Sequence, residues 1–162
     1  MAPHMIPTAK PSVGNSYLAD YVSLLCDSYR RWTGKSLIPE GIENVDIGRY
    51  LFHASFAVVS HNTDVDPIFN YANSTAMDLF EMDWNEITSL PSRLSAEPTN
   101  REERAALLKR VSEHGFIDDY TGIRISSSGR RFRIENAMVW NLMDKDGCHA
   151  GQAAMFSNWL FV

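Results

Sequence analysis

The stretch from residue 55 to residue 84 constrains the fold of this chain more than any other segment. It opens with an apolar run that contains Phe56 and Val58, and residues 61–66 then have the composition of a tight turn. A second short apolar run follows, and Asn73 stands where a helix would begin. Apolar residues recur behind Asn73 at helical spacing. The segment therefore predicts a strand, a turn, a second strand and a short helix.

The rest of the chain predicts further helices and strands in an α+β arrangement. Residues 101–114 form the clearest helix, because a capping box at Thr99 or Asn100 would start it and Gly115 would end it. Tight hairpin turns separate the strands that follow. These strands are residues 117–126, 131–142 and 149–159. We expect a five-stranded antiparallel sheet with helices on one face.

Two helices are predicted ahead of this core, at residues 13–32 and, more weakly, at residues 42–53. The apolar stripe of the first helix consists of Tyr17, Leu18, Tyr21, Val22, Leu25, Tyr29 and Trp32. Such a stripe is too large to face water. We expect it to pack over the outer sheet face or to join two chains as a homodimer. The predicted organisation is a disordered leader at residues 1–12, a helical extension at 13–53 and a core at 54–162.

Several short motifs resemble those of the MEKHLA-domain family. They are His61, DPIFNYAN (66–73), LPSRLSAE (90–97), RRF (130–132), VWNL (139–142) and GQAA (151–154). Their order and spacing carry the resemblance, which covers roughly residues 40–160. That family is PAS-like, occurs as stand-alone bacterial proteins, and is similar to the C-terminal region of plant homeodomain–leucine zipper transcription factors. The resemblance implies a PAS-like cup that holds a small molecule or a partner, and it implies no particular reaction.

The chain is also distantly similar to the flavin-binding light-oxygen-voltage branch of the PAS fold. That branch has a motif close to GRNCRFLQG and a glutamine on its last strand, where this chain has residues 89–97 and Gln152. Arg93 keeps the arginine of the motif, but Ser92 stands at the position of the reactive cysteine and Ala96 at that of the glutamine. A serine hydroxyl is not ionised at neutral pH, so cysteinyl–flavin chemistry is excluded there. A flavin bound without that adduct stays an alternative.

A haem cofactor is not expected. Haem-binding PAS domains use a histidine on the long helix, and His114 is the one residue here that qualifies. His114 lies at the predicted C-terminus of that helix, where the helix dipole already accounts for a histidine. Local pairs of aspartates such as Asp118 and Asp119 lack the spacing of a metal site, so no metal is expected either.

Polar residues on apolar strand faces predict a pocket between the sheet and the helices. Asn136 interrupts an apolar row on the strand 131–142, and Gln152 lies among small residues. Buried amides need partners, so these two satisfy each other or nearby backbone, or they orient a ligand with Arg93. Arg93 would favour an anionic or carbonyl-bearing compound. The predicted ligand neighbours are Phe56, Val58, Arg93, Leu108, Tyr120, Asn136, Met138, Trp140 and Gln152.

His61 is a second polar candidate, beside Ser60, Asn62 and Asp64. No second histidine, thiol or glycine-flanked serine completes a catalytic constellation with it, so we interpret it as a residue that caps the turn. A non-enzymatic sensory, ligand-binding or protein-interaction domain is therefore favoured. The alternatives are a small-molecule enzyme that uses His61 and Arg93, the flavin-binding domain, and a pure dimerisation module with a packed interior.

Composition narrows the partners and the compartment. A net charge of −5 over 162 residues argues against a nucleic-acid-binding surface. No apolar run is long enough to span a membrane. The two cysteines, Cys26 and Cys148, cannot form a zinc site alone and imply no disulfide framework. We therefore expect one domain in a reducing cytoplasm.

Overall fold

A computed structural model describes residues 9–162, and the side chains of all of these except residues 98 and 99. The helices are α1 (Ala19–Thr33), α2 (Ile47–Phe52), α3 (Ser74–Phe80), α4 (Trp84–Ile87) and α5 (Pro98–His114). The strands are β1 (Ala57–His61), β2 (Phe69–Ala72), β3 (Phe116–Ile125), β4 (Arg131–Met143), β5 (His149–Phe156) and β6 (Asn158–Phe161). Two 3₁₀ turns, Val13–Leu18 and Ser92–Ser95, complete the elements. Most of the predicted leader, at residues 1–8, lies outside the described residues.

The strands form one antiparallel sheet in the order β2-β1-β5-β4-β3. The strand predicted at residues 149–159 is broken at Ser157, and β6 continues from β5 to pair with the first half of β4. The sheet therefore has six strands where five were predicted, because one strand is divided by a bend. The α+β class and the antiparallel sheet are confirmed.

Asn73 fixes the turn from β2 into α3, as predicted for a helix N-cap. Its side-chain oxygen accepts the backbone N–H groups of Ala76 (3.1 Å) and Val58 (3.0 Å). Its amide nitrogen donates to the carbonyl oxygens of Leu51 (3.0 Å) and Phe56 (2.8 Å). This fully buried amide is therefore satisfied on every side, and it ties α2 and β1 to the start of α3.

The predicted helix boundaries shift at three places. The backbone of Ser16, Tyr17 and Leu18 is left-handed (φ 54°, 51° and 57°), so the helix cannot run through these residues and α1 begins only at Ala19. The weaker predicted helix at residues 42–53 shortens to α2. The long helix begins earlier, at Pro98, so neither Thr99 nor Asn100 is its N-cap. None of the helices within residues 9–162 is long and apolar enough to cross a membrane.

Helix α1 packs on one face of the sheet, which we call the outer face. The hydroxyl of Tyr21 hydrogen-bonds Ser60 (2.7 Å) and donates to Asn70 (3.1 Å). The indole N–H of Trp140 donates to the carbonyl oxygen of Leu25 (3.2 Å). The α1 stripe is thus buried within the chain. It is unavailable as a homodimer surface, so the predicted homodimer cannot form through this stripe.

A bulge in β4 reverses the side of the sheet that its side chains face. Ile134 pairs with Gly122 but Ala137 pairs with Tyr120, so β4 carries one extra residue between these two pairs. Asn136 lies in the bulge with a left-handed φ of 51° and is exposed. The prediction that Asn136 interrupts an inward apolar row is therefore wrong.

The bulge moves two predicted pocket residues to the outer face. Met138 and Trp140 face α1, whereas Val139 faces the opposite, inner side, which α3 and α5 cover. Val58 is on the outer face as well, since it pairs with Met155, which in turn pairs with Met138. The strand register therefore shows that the predicted inward orientation of these residues is wrong.

Candidate ligand-binding cavity

A cavity of about 60 Å³ lies between the inner face of the sheet, α5 and the 3₁₀ turn Ser92–Ser95. Its apolar wall includes Val59, Phe69, Phe80, Leu107, Val139 and Phe156. Its polar lining includes His61, Ser92, Arg104, Tyr120, Arg124 and Gln152. An apolar wall with a few convergent polar groups is the usual character of a small-molecule site.

A row of polar side chains crosses β1, β5 and β4 at one end of the cavity. His61 pairs with Gln152, and Gln152 pairs with Asn141, so the three side chains are neighbours on the inner face. The Gln152 amide nitrogen donates to the Asn141 side-chain oxygen (3.0 Å) and, at 3.4 Å, to the Leu108 carbonyl. Asn141 donates to the carbonyl of Val111 (3.0 Å). The row therefore ties the sheet to α5 and leaves the Gln152 side-chain oxygen without a partner.

His61 presents an unpartnered nitrogen at the same end. Its Nδ1 is 3.0 Å from the carbonyl oxygen of Asn62, so Nδ1 carries the proton and Nε2 a lone pair. Nε2 is buried and has no hydrogen-bond partner among the described residues. Burial lowers the pKa of His61 to about 4; the hydrogen bond with the Asn62 carbonyl opposes the shift, and the charge of Arg104 adds to it. The Asn62 side chain caps the turn, accepting two backbone N–H groups (3.1 and 3.0 Å).

Tyr120 lies along β3 over Gly122. A Cβ atom at Gly122 would be 2.0 Å from the Tyr120 hydroxyl, so only glycine leaves room for this ring. The hydroxyl is buried and has no hydrogen-bond partner within the described part of the chain. The guanidinium of Arg124 lies 5.4 Å from the ring centroid. Tyr120 therefore brings a free hydroxyl and a neighbouring cation to the cavity wall.

Arg104 and Arg124 are buried cations without an acidic partner. Each is only 8% exposed. Arg104 donates to the hydroxyl of Ser92, and Arg124 donates to the carbonyl of Ile123 (2.9 Å). Within residues 9–162, no carboxylate lies within 4.0 Å of either guanidinium. Burial lowers the pKa of Arg104 to about 10, and the charge of Arg124 acts in the same direction.

The 3₁₀ turn holds Ser92 at the cavity. The backbone N–H of Ser92 donates to the carbonyl of Pro67 (2.8 Å), and its own carbonyl accepts the Ser95 hydroxyl (2.7 Å). Both serines are buried and line the cavity. Ser92, which aligns with the reactive cysteine of light-oxygen-voltage domains, thus faces the cavity but is occupied by its bond with Arg104.

Four of the predicted site residues line the cavity and six do not. Those that line it are His61, Leu108, Tyr120 and Gln152. The others are Phe56, Val58, Arg93, Asn136, Met138 and Trp140. Arg93 instead pairs with Asp66 (3.0 Å) at the surface, where its side chain is 47% exposed. Gln152 and Asn136 do not meet, so these amides do not satisfy each other; Gln152 instead donates to Asn141 and to the backbone carbonyl of Leu108.

Sequence reasoning missed Arg104 and Arg124. Arg104 shares one face of α5 with the buried residues Leu107 and Val111, at helical spacing. Arg124 follows Tyr120 by four residues, on the same face of β3. In both places an arginine interrupts a buried face, and this pattern was available in the sequence.

The cavity does not fit a flavin. Sites for drug-sized ligands measure roughly 300–1,000 Å³, several times the volume of this cavity. Among the described residues, no group of three histidine, cysteine, aspartate or glutamate side chains could hold a metal ion. The arrangement can instead hold a molecule of a few heavy atoms.

A family model described as "MEKHLA domain" matches residues 19–161, a region that begins with α1. Among curated proteins, the chain is 24% identical to homeobox-leucine zipper protein ATHB-15 of Arabidopsis thaliana over 85% of this chain and 17% of that protein. It is 27% identical to HOX29 of Oryza sativa subsp. indica over 85% of this chain and 16% of that protein. The chain thus spans less than a fifth of the length of these relatives.

Solved structures with PAS and light-oxygen-voltage folds resemble this chain. The PAS domain of a protein from Colwellia psychrerythraea aligns with a TM-score of 0.59 and 13% identity, covering 70% of this chain and 92% of that one. An RNA-binding light-oxygen-voltage receptor aligns with a TM-score of 0.60 and 19% identity, covering 79% and 35%. The light-state dimer of the fungal photoreceptor Vivid aligns with a TM-score of 0.58 and 11% identity, covering 84% and 92%. These likenesses show the fold, and the family match shows that the chain belongs to the MEKHLA-domain family.

Proposed function

We propose that this chain is a PAS-like sensory domain that binds a small molecule in the cavity between the sheet and α5. One observation carries the proposal: three buried polar atoms of cavity-lining residues lack a hydrogen-bond partner in the described structure. They are His61 Nε2, the Tyr120 hydroxyl and Gln152 Oε1. An unsatisfied buried polar group costs about 1–3 kcal/mol. A ligand that supplies the missing partners would remove this cost.

The apolar wall favours an organic ligand over water alone. Water can enter a polar cavity of this volume and bridge such atoms. Phe69, Phe80 and Phe156 also line the space, however, and water gains nothing by covering their rings. A molecule with a short apolar body and polar ends matches both kinds of wall.

The alternative functions have less support. The proposed enzyme would need His61 and Arg93 in one site, but Arg93 pairs with Asp66 at the surface. A dimerisation module with a packed interior would not need a cavity that holds unpaired polar atoms. A flavin would need a larger cavity. Ligand binding is the function that uses the residues gathered here.

Assembly and location stay predictions. Vivid was solved as a light-state dimer, and a homodimer of this chain would need a surface other than the α1 stripe. The curated relatives are plant proteins in which the matched region is one part, so a stand-alone bacterial protein is an expectation from the resemblance alone. A cytoplasmic location is an expectation from composition.

A thermal-shift screen with a cavity-filling variant tests the proposal. Neutral, anionic and cationic small metabolites would be screened against the purified chain, and at least one should raise its melting temperature. Ala154→Leu should abolish that shift, because Ala154 lines the cavity. Ala106→Leu is the matched control, since Ala106 is exposed on α5. A screen without any stabilising compound, or equal binding by Ala154→Leu, would overturn the proposal.

A further inference from the structure

We infer that the ligand carries a carboxylate group and that Arg104 and Arg124 bind it. The inference rests on the proposed function and names the chemical class of the ligand. Both guanidiniums line the cavity, and both are removed from solvent. The site would thus be an anion site built into the inner face of the sheet, formed by one helix and one strand.

A contrast with three more exposed arginines of the chain supports this assignment. Arg93, Arg131 and Arg133 are partly exposed, and each has a carboxylate partner. Arg104 and Arg124, which are the buried ones, have none within the described residues. A buried charge without a partner is costly, whereas an exposed one is not. A negative charge supplied by a ligand would therefore stabilise the chain more at Arg104 and Arg124 than at an exposed arginine.

The number of free donors fits a carboxylate as well. A guanidinium has five N–H donors, and each of these two arginines makes one hydrogen bond within the described structure. Both cations line the same cavity, and the charge of Arg124 lowers the pKa of Arg104. A carboxylate between them would accept several N–H groups and offset this repulsion.

The unpartnered acceptors indicate the other end of the ligand. His61 Nε2 carries a lone pair and Gln152 Oε1 is a carbonyl oxygen, so both require a donor. A hydroxyl or amine would supply it. The ligand class is therefore a short hydroxy or amino carboxylic acid of a few heavy atoms, with an apolar body between its two polar ends.

The inference is tested with 4-hydroxybutyrate and its neutral analogue 4-hydroxybutyramide, which differ only in the charged end. Titration calorimetry on the full chain should detect binding of the acid. Binding of the amide should be weaker or undetectable. Arg104→Gln should weaken acid binding about tenfold or more, since charge-assisted hydrogen bonds are lost. Arg124→Gln, in β3, is a second variant and should weaken acid binding as well. Arg110→Gln is the matched control, because Arg110 is exposed on the same helix.

The two proposals fail in different ways. If the amide binds as well as the acid, or if both arginine variants bind the acid like the unmodified chain, the carboxylate assignment is overturned while ligand binding stands. If neither probe binds and the wider screen yields only neutral or cationic ligands, the carboxylate assignment is again overturned. If no compound of any charge binds, the proposed function itself fails.

Discussion

The two faces of the sheet differ in how their buried polar groups are paired. On the outer face, under α1, the Tyr21 hydroxyl bonds to Ser60 and Asn70, and the Trp140 indole bonds to the backbone of α1. On the inner face, under α5, Tyr120 and Gln152 leave polar atoms without partners. Apart from the Tyr71 hydroxyl, these polar groups of the outer face are paired within the chain, whereas the inner face leaves several polar atoms for an additional molecule. A PAS-type sheet can therefore use one face for stability and keep the other for binding.

The two faces also differ in whether their buried groups are charged. Burial raises the pKa of Tyr21 and of Cys26, on α1, to about 12 in each case, so both stay neutral at neutral pH. The Tyr71 hydroxyl is an exception to the complete pairing, but burial raises its pKa far above the usual range too. The inner face instead holds two charged guanidiniums. The inner face thus offers buried positive charge to a ligand.

The largest expected effect lies on the outer face. Trp140→Ala should reduce the free energy of unfolding by about 3–5 kcal/mol, since Trp140 is fully buried and contacts Tyr29 edge-to-face (5.2 Å). Urea denaturation followed by circular dichroism measures the change. Leu160→Ala, on a half-exposed residue of β6, is the control and should change little. A loss below about 1 kcal/mol in Trp140→Ala would break the comparison, because α1 would then not depend on this face.

A pH effect on the inner face should come next in size. His61 titrates near pH 4 when folded and near 6.5 when unfolded, so protonation favours the unfolded chain. The penalty is absent above about pH 6.5 and grows as the pH falls, to on the order of 2 kcal/mol at pH 5. In His61→Gln, the unfolding free energy should therefore decrease less between pH 7 and pH 5 than it does in the unmodified chain. In His53→Gln, which changes an exposed histidine, the decrease should be the same as in the unmodified chain. Equal acid sensitivity of the two variants would show that His61 is not held neutral by burial.

The smallest effect gives the sharpest comparison, because the same atom is removed on each face. Tyr21→Phe should cost about 1–2 kcal/mol, since it breaks two hydrogen bonds and leaves their partners buried. Tyr120→Phe should cost nothing in the ligand-free chain, since its hydroxyl has no partner to lose. Parallel urea denaturation curves measure both. A cost for Tyr120→Phe equal to that for Tyr21→Phe would mean that the inner face is already satisfied.

The order of elements could be predicted from the sequence because local chemistry sets it. Asn73 supplies an N-cap and predicted the start of α3 correctly. Tight turns at 127–129 and 144–147 separate the last strands as expected. Gln152 and Tyr120 line the cavity, whereas Arg93, which was chosen by motif position, is paired at the surface.

The fold class and the succession of strands and helices could be predicted from the amino-acid sequence, since both follow from caps, turns and periodicity. The family resemblance rests on the order and spacing of short motifs. Which residues face the cavity depends on how the elements pack together. Residues 56–59 are apolar at every position because both faces of β1 are covered. The sequence there does not alternate, so it does not show which side chains point to which face of the sheet. The bulge at Asn136 shifts the phase again within β4. Arg104 and Arg124 lie far apart in the sequence, and only the packing of α5 on β3 brings both into one cavity.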